Sequence, residues 1–369
     1  MSFLSSSSVV PSFAADNHGT LLLTGSRQDL AQLGGTQAFG GWGGIRLFES
    51  VVFDQKGASS VIFQGETASQ AELTMLELKR QGFNAIRVMF ESPISTQANR
   101  RVWGWDNLWF DKTLQIAKAL DMWLIVDWHG YTDSYQFTDQ WIGFWRDSVV
   151  SKYKDSYEKI VWEPINEPLM RWNDGSHELG GKEAVNALTS QYQKWVDMAR
   201  GLGDTHWIVV SALCYWSSLP VVEWFPVLTD PLNRLFLGMH FYYFYAQHQG
   251  GWTVADAQAQ ADYVYNDIIV SAITRYNRPF LVTEMGAHYG TTAPPDIQFD
   301  GSAGYSTVSL AFAQRMIANF DAHPGRIGYL LWTAGDWTTA GLYGGLGVWG
   351  ASLHYDAFYQ AQLIVTRRS

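Results

Sequence analysis

The chain has 369 residues, 47% hydrophobic and 16% charged, with a formal net charge of −10. That length supports one large core or two domains, and the acidic balance without a basic run speaks against nucleic acid as a partner. The single cysteine, Cys214, rules out an intramolecular disulfide and a CxxC metal site, and the nine histidines form no HxH or HExxH, which speaks against the common zinc-hydrolase signatures. Walker A is absent too, and Gly40-Gly41-Trp42-Gly43-Gly44 fails the GxGxxG spacing. No apolar run is long enough for a transmembrane helix. Aromatics make up 15% of the chain, with 18 Trp. Most aromatics fill cores, but Trp faces also stack on the apolar faces of pyranose rings, so carbohydrate stands out as a ligand class.

In chain order, residues 1–19 are Ser-rich and read as an N-terminal tail. Ser12-Phe13-Ala14-Ala15-Asp16 resembles the end of a secretory signal, without its basic start. Thr20 to Gly25 reads as a strand of a short N-terminal hairpin. A first barrel strand is expected near residues 36–48, blurred by glycines, with a loop or extra hairpin over 49–66. Ser69-Gln70-Ala71-Glu72 is a capping box opening a helix that stops at Gly82. Strands are then expected over 83–90, 123–130, 159–165, 207–211, 235–242, 279–285 and 327–332. Helices are expected between them near 107–121, 138–153, 182–200, 254–276 and 305–322, with a closing helix over 355–366. Val185, Leu188, Tyr192, Trp195 and Ala199 show the helical period in one of these.

Eight buried strands alternating with amphipathic helices predict a parallel sheet. Eight units in this length favour an α/β (β/α)8 TIM barrel over an open doubly wound sheet. No linker or repeat appears, so residues 20–369 are expected to form a single domain.

Active sites in such barrels lie at the C-terminal ends of the strands. Those ends carry Arg87, His129, Asn166 with Glu167, His240 with Tyr242, Glu284 and Trp332. Each alone has a structural reading: an ion pair, a hydrogen-bonded core histidine, a packed Trp. Collected on one rim, they match a specific chemistry. Cleaving a glycosidic bond with retention needs two carboxyl groups about 5–5.5 Å apart, one acid/base and one nucleophile. The acid must keep its proton near neutral pH, and an adjacent Arg helps the nucleophile stay ionised.

The pattern resembles glycoside hydrolase family 5, in the clan of (β/α)8 retaining glycosidases, over about Gly40 to Trp332. Asn166-Glu167-Pro168 after the fourth strand and Thr283-Glu284-Met285-Gly286 after the seventh carry it most strongly. The resemblance implies Glu167 as acid/base and Glu284 as nucleophile. It implies that Asn166 binds the sugar 2-hydroxyl, that Arg87, His240 and Tyr242 position and tune Glu284, and that His129 and Trp332 line the sugar site. No metal or cofactor is expected. The implied activity is an endo-acting β-1,4-glucanase (cellulase), probed against a β-mannanase or other β-glycanase, an exo-acting glycosidase or transglycosylase, and a noncatalytic carbohydrate-binding barrel. Trp42, Trp103, Trp105, Trp128, Trp216 and Trp337 are candidate stacking residues. A polysaccharide substrate implies secretion, since a polymer cannot enter a cell, and a monomer is expected.

Overall fold

The computed structural model describes residues 13–15, 21–23, 56–60, 75, 76, 79, 83–90, 105, 107–130, 138–170, 179–214, 219–243, 253–286, 307–322 and 326–332. Near the N-terminus, β1 (Phe13–Ala15) pairs antiparallel with β2 (Leu21–Leu23). This is the expected hairpin, and its first strand begins within the stretch read as tail. Eight further strands close a parallel barrel: β3 (Lys56–Ser60), β4 (Ala85–Phe90), β5 (Trp123–Trp128), β6 (Ile160–Glu163), β7 (Trp207–Ser211), β8 (Leu235–Tyr242), β9 (Phe280–Gly286) and β10 (Ile327–Trp332). Each strand pairs with its neighbour in sequence, and β10 closes onto β3.

The first barrel strand corrects the sequence expectation. It is Lys56–Ser60, within the segment expected as loop or hairpin, whereas residues 36–48 lie outside those described. Lys-Gly-Ala-Ser-Ser has no apolar run and no alternation. Its strand geometry comes from backbone pairing with β10 on one side and β4 on the other, which local sequence does not signal.

The helices fall close to expectation. They are α1 (Asn107–Leu120), α2 (the contiguous segments Thr138–Phe144, Trp145–Val150 and Ser151–Tyr153), α3 (Gly181–Gly201), α4 (Val254–Tyr263, Val264–Val270 and Ser271–Tyr276) and α5 (Thr307–Ala322). The middle segments of α2 and α4 have π-type hydrogen bonding. Thr253 and Asp256 cap α4 reciprocally, side chain to backbone in both directions. Among the residues expected to form the helix before Gly82, Met75, Leu76 and Lys79 are helical. The capping box at Ser69–Glu72 and the closing helix over 355–366 lie outside the described residues. Among the described residues no helix is long and apolar enough to cross a membrane.

The period-two alternation of a strand sorts its side chains between two cores. On β5, Leu124, Val126 and Trp128 face outward against the helices, while Trp123 and Ile125 face the barrel interior. The same split puts Ala85, Val161, Val209, Phe236 and Leu281 inside, with Trp207 stacked on Phe236 at a centroid distance of 4.3 Å. The lower interior is thus apolar and closed. One step further along the inward faces of β4, β5 and β6 stand Arg87, Asp127 and Glu163, and His240 stands beyond Gly238 on β8. The barrel therefore ends at its C-terminal mouth in a buried charged layer resting on an apolar plug.

Gly238 lies on β8 between Phe236 and His240. A Cβ there would sit 2.4 Å from Val209 Cγ1 and 3.2 Å from Ser211 Oγ. Valine is stiff at χ1, so the clash is relieved only by moving β7 or β8. Gly238→Ala is predicted to lower stability by about 1–3 kcal/mol, measured by chemical denaturation. Combined with Val209→Ala, it should cost less than the two single changes added together. Strict additivity would show that the strands move apart instead.

Candidate active site

Arg87 is the hub of the charged layer. It is fully buried, and its Nε donates to Glu163 Oε2 at 2.5 Å while Nη2 donates to Glu163 Oε1 at 3.1 Å. Nη2 also donates to Asn166 Oδ1 at 2.8 Å and lies 2.9 Å from Asp127 Oδ2. Nη1 donates to Glu284 Oε1 at 2.6 Å. One guanidinium thus holds three carboxylates and an amide. Burial opposes its charge, but Asp127, Glu163 and Glu284 together hold it protonated well beyond its ordinary range.

Glu284 reaches the mouth through an irregularity in β9. The β8–β9 register shifts between Met239 and His240, so that His240 pairs with Glu284 and Thr283 is skipped. Such bulges re-aim side chains. Both Thr283 and Glu284 consequently meet His240, Thr283 through its Oγ1 at 3.0 Å from Nε2. Tyr242 donates its hydroxyl to Glu284 Oε2 at 2.8 Å. Each oxygen of Glu284 therefore accepts from a side-chain donor. Burial first, and then the Glu284 charge, push the Tyr242 phenol well above its usual value, so it remains a donor.

Glu167 comes from the turn after β6. Its backbone is left-handed, with φ of 40°, which costs a side-chain-bearing residue about 1–3 kcal/mol. The turn is held from several sides. Trp141 and Trp145 of α2 both donate their indole N–H to Pro164 O, at 2.9 and 3.2 Å. The Asn166 N–H donates to Trp128 O and the Cys214 N–H to Pro168 O. Several buried tryptophans thus build the support for this turn. Trp128 itself is fully enclosed by Phe90, Phe144 and Trp145, so it is a packing residue rather than a stacking platform. Trp105 is partly buried against Phe90 and Phe110. Trp42, Trp103, Trp216 and Trp337 lie outside the described residues.

Glu167, Glu284 and His240 come together, with one ligating atom from each lying within 4.8 Å of the others. His240 Nδ1 is 2.8 Å from Glu167 Oε1 and 3.4 Å from Glu284 Oε2. His240 thus bridges the two glutamates and is closer to Glu167, where the sequence reading paired it with Glu284 alone. Burial would discharge the ring, but Glu284 and then Glu167 raise its pKa. Three such donors are also a cation-binding set. Here, however, Arg87 sets a positive charge against Glu284, which works against a second cation. Glu167 keeps 18% side-chain exposure against 7% for Glu284, so of the two it stands nearer to solvent.

Asn166 sits where expected, and its Oδ1 is taken by Arg87, which directs the amide nitrogen away as the donor. His129 follows β5, its Nδ1 2.8 Å from Asp127 Oδ2. Burial lowers its pKa to about 4 against the pull of Glu284, so the ring is neutral. Trp332 ends β10, and its side chain lies outside the described residues. Asp127 and Glu163 were not among the sequence candidates. Their signal was parity: each stands two residues beyond an inward-facing apolar residue, Ile125 or Val161. Burial also raises the Glu163 pKa in spite of Arg87.

The sequence profile of the family Cellulase (glycosyl hydrolase family 5) matches residues 49–335. The chain belongs to glycoside hydrolase family 5. Endoglucanase B of Paenibacillus lautus is 24% identical over 262 residues, covering 63% of this chain and 44% of that protein. The chain thus spans less than half the length of this relative, and 14% of an endoglucanase of Bacillus sp. strain KSM-635. Among solved structures, a GH5-4 broad-specificity endoglucanase from an uncultured bacterium superposes with a TM-score of 0.57 at 17% identity, over 84% of this chain and 92% of the other. A family 5 xyloglucanase from Paenibacillus pabuli gives 0.55 at 14% identity, over 84% and 98%. At these identities the likeness speaks for the shared barrel.

Asp127 provides a test of that layer. Burial raises its pKa from 3.8 to about 7, with Arg87 opposing and Glu284 adding. Between about pH 4 and pH 7 the folded state therefore binds the proton more tightly than the unfolded chain, and stability falls as pH rises through that window. His129 acts in the opposite sense below about pH 6.5, but Asp127→Asn removes only the aspartate contribution. The Tm of Asp127→Asn minus that of the wild type is predicted to be a few degrees larger at pH 8 than at pH 5. Equal differences at both pH values would contradict the buried, proton-holding Asp127.

Proposed function

We propose that this family 5 chain is a retaining, endo-acting glycoside hydrolase that cleaves β-1,4-glucan by double displacement. The observation carrying the proposal is the meeting of Glu167 and Glu284 within 4.8 Å, with donors on both oxygens of Glu284. Inversion needs room for a water, with carboxyl groups about 6.5–9.5 Å apart; the shorter separation supports a direct attack.

In the first step Glu284 attacks the anomeric carbon while Glu167 gives its proton to the leaving glycosidic oxygen. A glycosyl ester of Glu284 forms and the aglycone leaves as an alcohol. In the second step a water attacks the same carbon, its proton passes to Glu167, and Glu284 leaves as carboxylate. Arg87 and Tyr242 hold Glu284 in line before attack and receive it back as the ester breaks. His240, placed between the two glutamates, fixes their relative position. The Asn166 amide nitrogen donates to the 2-hydroxyl of the sugar at the scissile bond, and His129 and Trp332 line the ring's site. A polymeric substrate supports secretion, since a polymer cannot enter a cell.

The test is reducing-sugar release from carboxymethyl cellulose, barley β-glucan, xylan, glucomannan and galactomannan. The wild type is expected to act on cellulose and β-glucan, and Glu284→Gln to lose at least about 10³-fold in kcat while still binding β-glucan oligomers. Release from the mannans alone would move the substrate to mannan. Turnover surviving in Glu284→Gln would overturn the assigned nucleophile.

A further inference from the structure

Glu163 carries a carboxyl group that the hydrolysis steps leave unused. It ends β6, fully buried, on the segment that runs on into Asn166 and Glu167. Such a group is costly to bury unless it is paired. Arg87 supplies the pairing: it donates to both carboxyl oxygens, and Glu163 makes no other side-chain hydrogen bond among the described residues.

A guanidinium is a flat fork whose N–H directions are fixed relative to one another. Its side edge consists of the Nε hydrogen and one Nη2 hydrogen. Its far edge consists of the second Nη2 hydrogen and one on Nη1. Glu163 holds the side edge, Nε donating at 2.5 Å and Nη2 at 3.1 Å. The far edge serves the site: Nη2 donates to Asn166 Oδ1 at 2.8 Å and Nη1 to Glu284 Oε1 at 2.6 Å. Asp127 Oδ2 lies 2.9 Å from Nη2, but both hydrogens of that nitrogen go to Glu163 and Asn166, so Asp127 adds charge and no direction.

We propose that Glu163 is a positioning residue that sets the plane of Arg87 and, through that plane, aligns Glu284 and Asn166 together. Two oxygens on the side edge fix the roll of the guanidinium about its Cδ–Nε bond, and the far edge then has one direction. Among the described residues, Glu163 is the partner of Nε. With the side edge released, the plane is held from its far edge by one hydrogen bond to Glu284 and one to Asn166. Rotation of the plane moves both bonds at once. Glu284 loses its line to the anomeric carbon, and the Asn166 amide loses the anchor on Oδ1 that aims its nitrogen at the 2-hydroxyl. The rate of attack and the use of the 2-hydroxyl are therefore coupled through a residue that touches neither the sugar nor Glu284.

This inference rests on the glycanase reading for its kinetic test, while a second readout needs no substrate. Glu163→Gln keeps the size of the side chain but sets an amide NH2 against one N–H of the fork. The full-length wild type and variant are compared on an aryl β-cellobioside and on the same compound without the 2-hydroxyl at the scissile bond. Glu163→Gln is expected to lower kcat/KM on the complete substrate by on the order of a hundredfold. The ratio of kcat/KM with and without the 2-hydroxyl should fall about tenfold from wild type to variant, the intrinsic reactivities cancelling because the compounds are the same. A loss of rate with that ratio unchanged would make Glu163 merely structural and overturn the proposal, as would full activity. In the 15N-arginine-labelled protein, with Arg87→Lys assigning the signal, the Arg87 Nε–H is expected to exchange with solvent about tenfold or more slowly than those of exposed arginines, and to lose this protection in Glu163→Gln. An unprotected Nε–H in the wild type overturns the proposal, and this spectrum decides should the variant fail to fold. A protein that hydrolyses no glycoside but shows the protection and its loss would sink the glycanase reading and leave the hold of Glu163 on Arg87 standing.

Discussion

A single buried positive charge organises the mouth of this barrel. Arg87 enters from β4 above an apolar plug, and Asp127, Glu163 and Glu284 converge on it from three other strands. Left alone, any of these charges would be costly to bury; breaking such a cluster by removing one partner typically costs about 3–5 kcal/mol. The guanidinium suits the task because its donors point in fixed directions in one plane. Glu163 takes one edge with two hydrogen bonds, and Glu284 is left with a different nitrogen. The geometry that holds Glu284 in place is therefore the same geometry that makes the charged layer tolerable in the fold.

The aromatic richness of the chain serves that geometry indirectly. Glu167 must stand opposite Glu284, and a left-handed backbone at Glu167 puts it there. Such a conformation persists only where its surroundings fix it. Two indole N–H groups on the Pro164 carbonyl, and the backbone bonds of Asn166 and Pro168 to neighbouring strand ends, supply that constraint. Tryptophans that composition alone linked to sugar stacking instead buttress the turn that carries Glu167 from the helix side.

How much of this was legible in the sequence follows from what each feature depends on. Strands with apolar runs, such as Trp207–Ser211 and Leu235–Tyr242, announced themselves, and so did the helices between them. Lys56–Ser60 did not, because its strand character is supplied by β4 and β10 rather than by its own residues. The two glutamates and Arg87 were legible as polar endings on buried strands. Asp127 and Glu163 were missed because each was read as part of its strand, without asking which face it occupied. The same parity would have placed Trp128 outside the barrel: if Asp127 faces the mouth, its neighbour must face the helices. The β9 bulge, which brings Thr283 and Glu284 both to His240, leaves no local mark in the sequence.

The central claim is that Glu284 forms a covalent bond to the sugar while Glu167 handles the proton. It is tested most directly by incubating the protein with an activated 2-deoxy-2-fluoro-β-cellobioside, whose slow second step traps the intermediate, followed by mass spectrometry of the intact chain and its peptides. The account predicts one fluorocellobiosyl group per chain, esterified to Glu284. An adduct on Glu167 or another carboxylate would contradict it, as would the absence of any adduct in a preparation that turns over β-glucan.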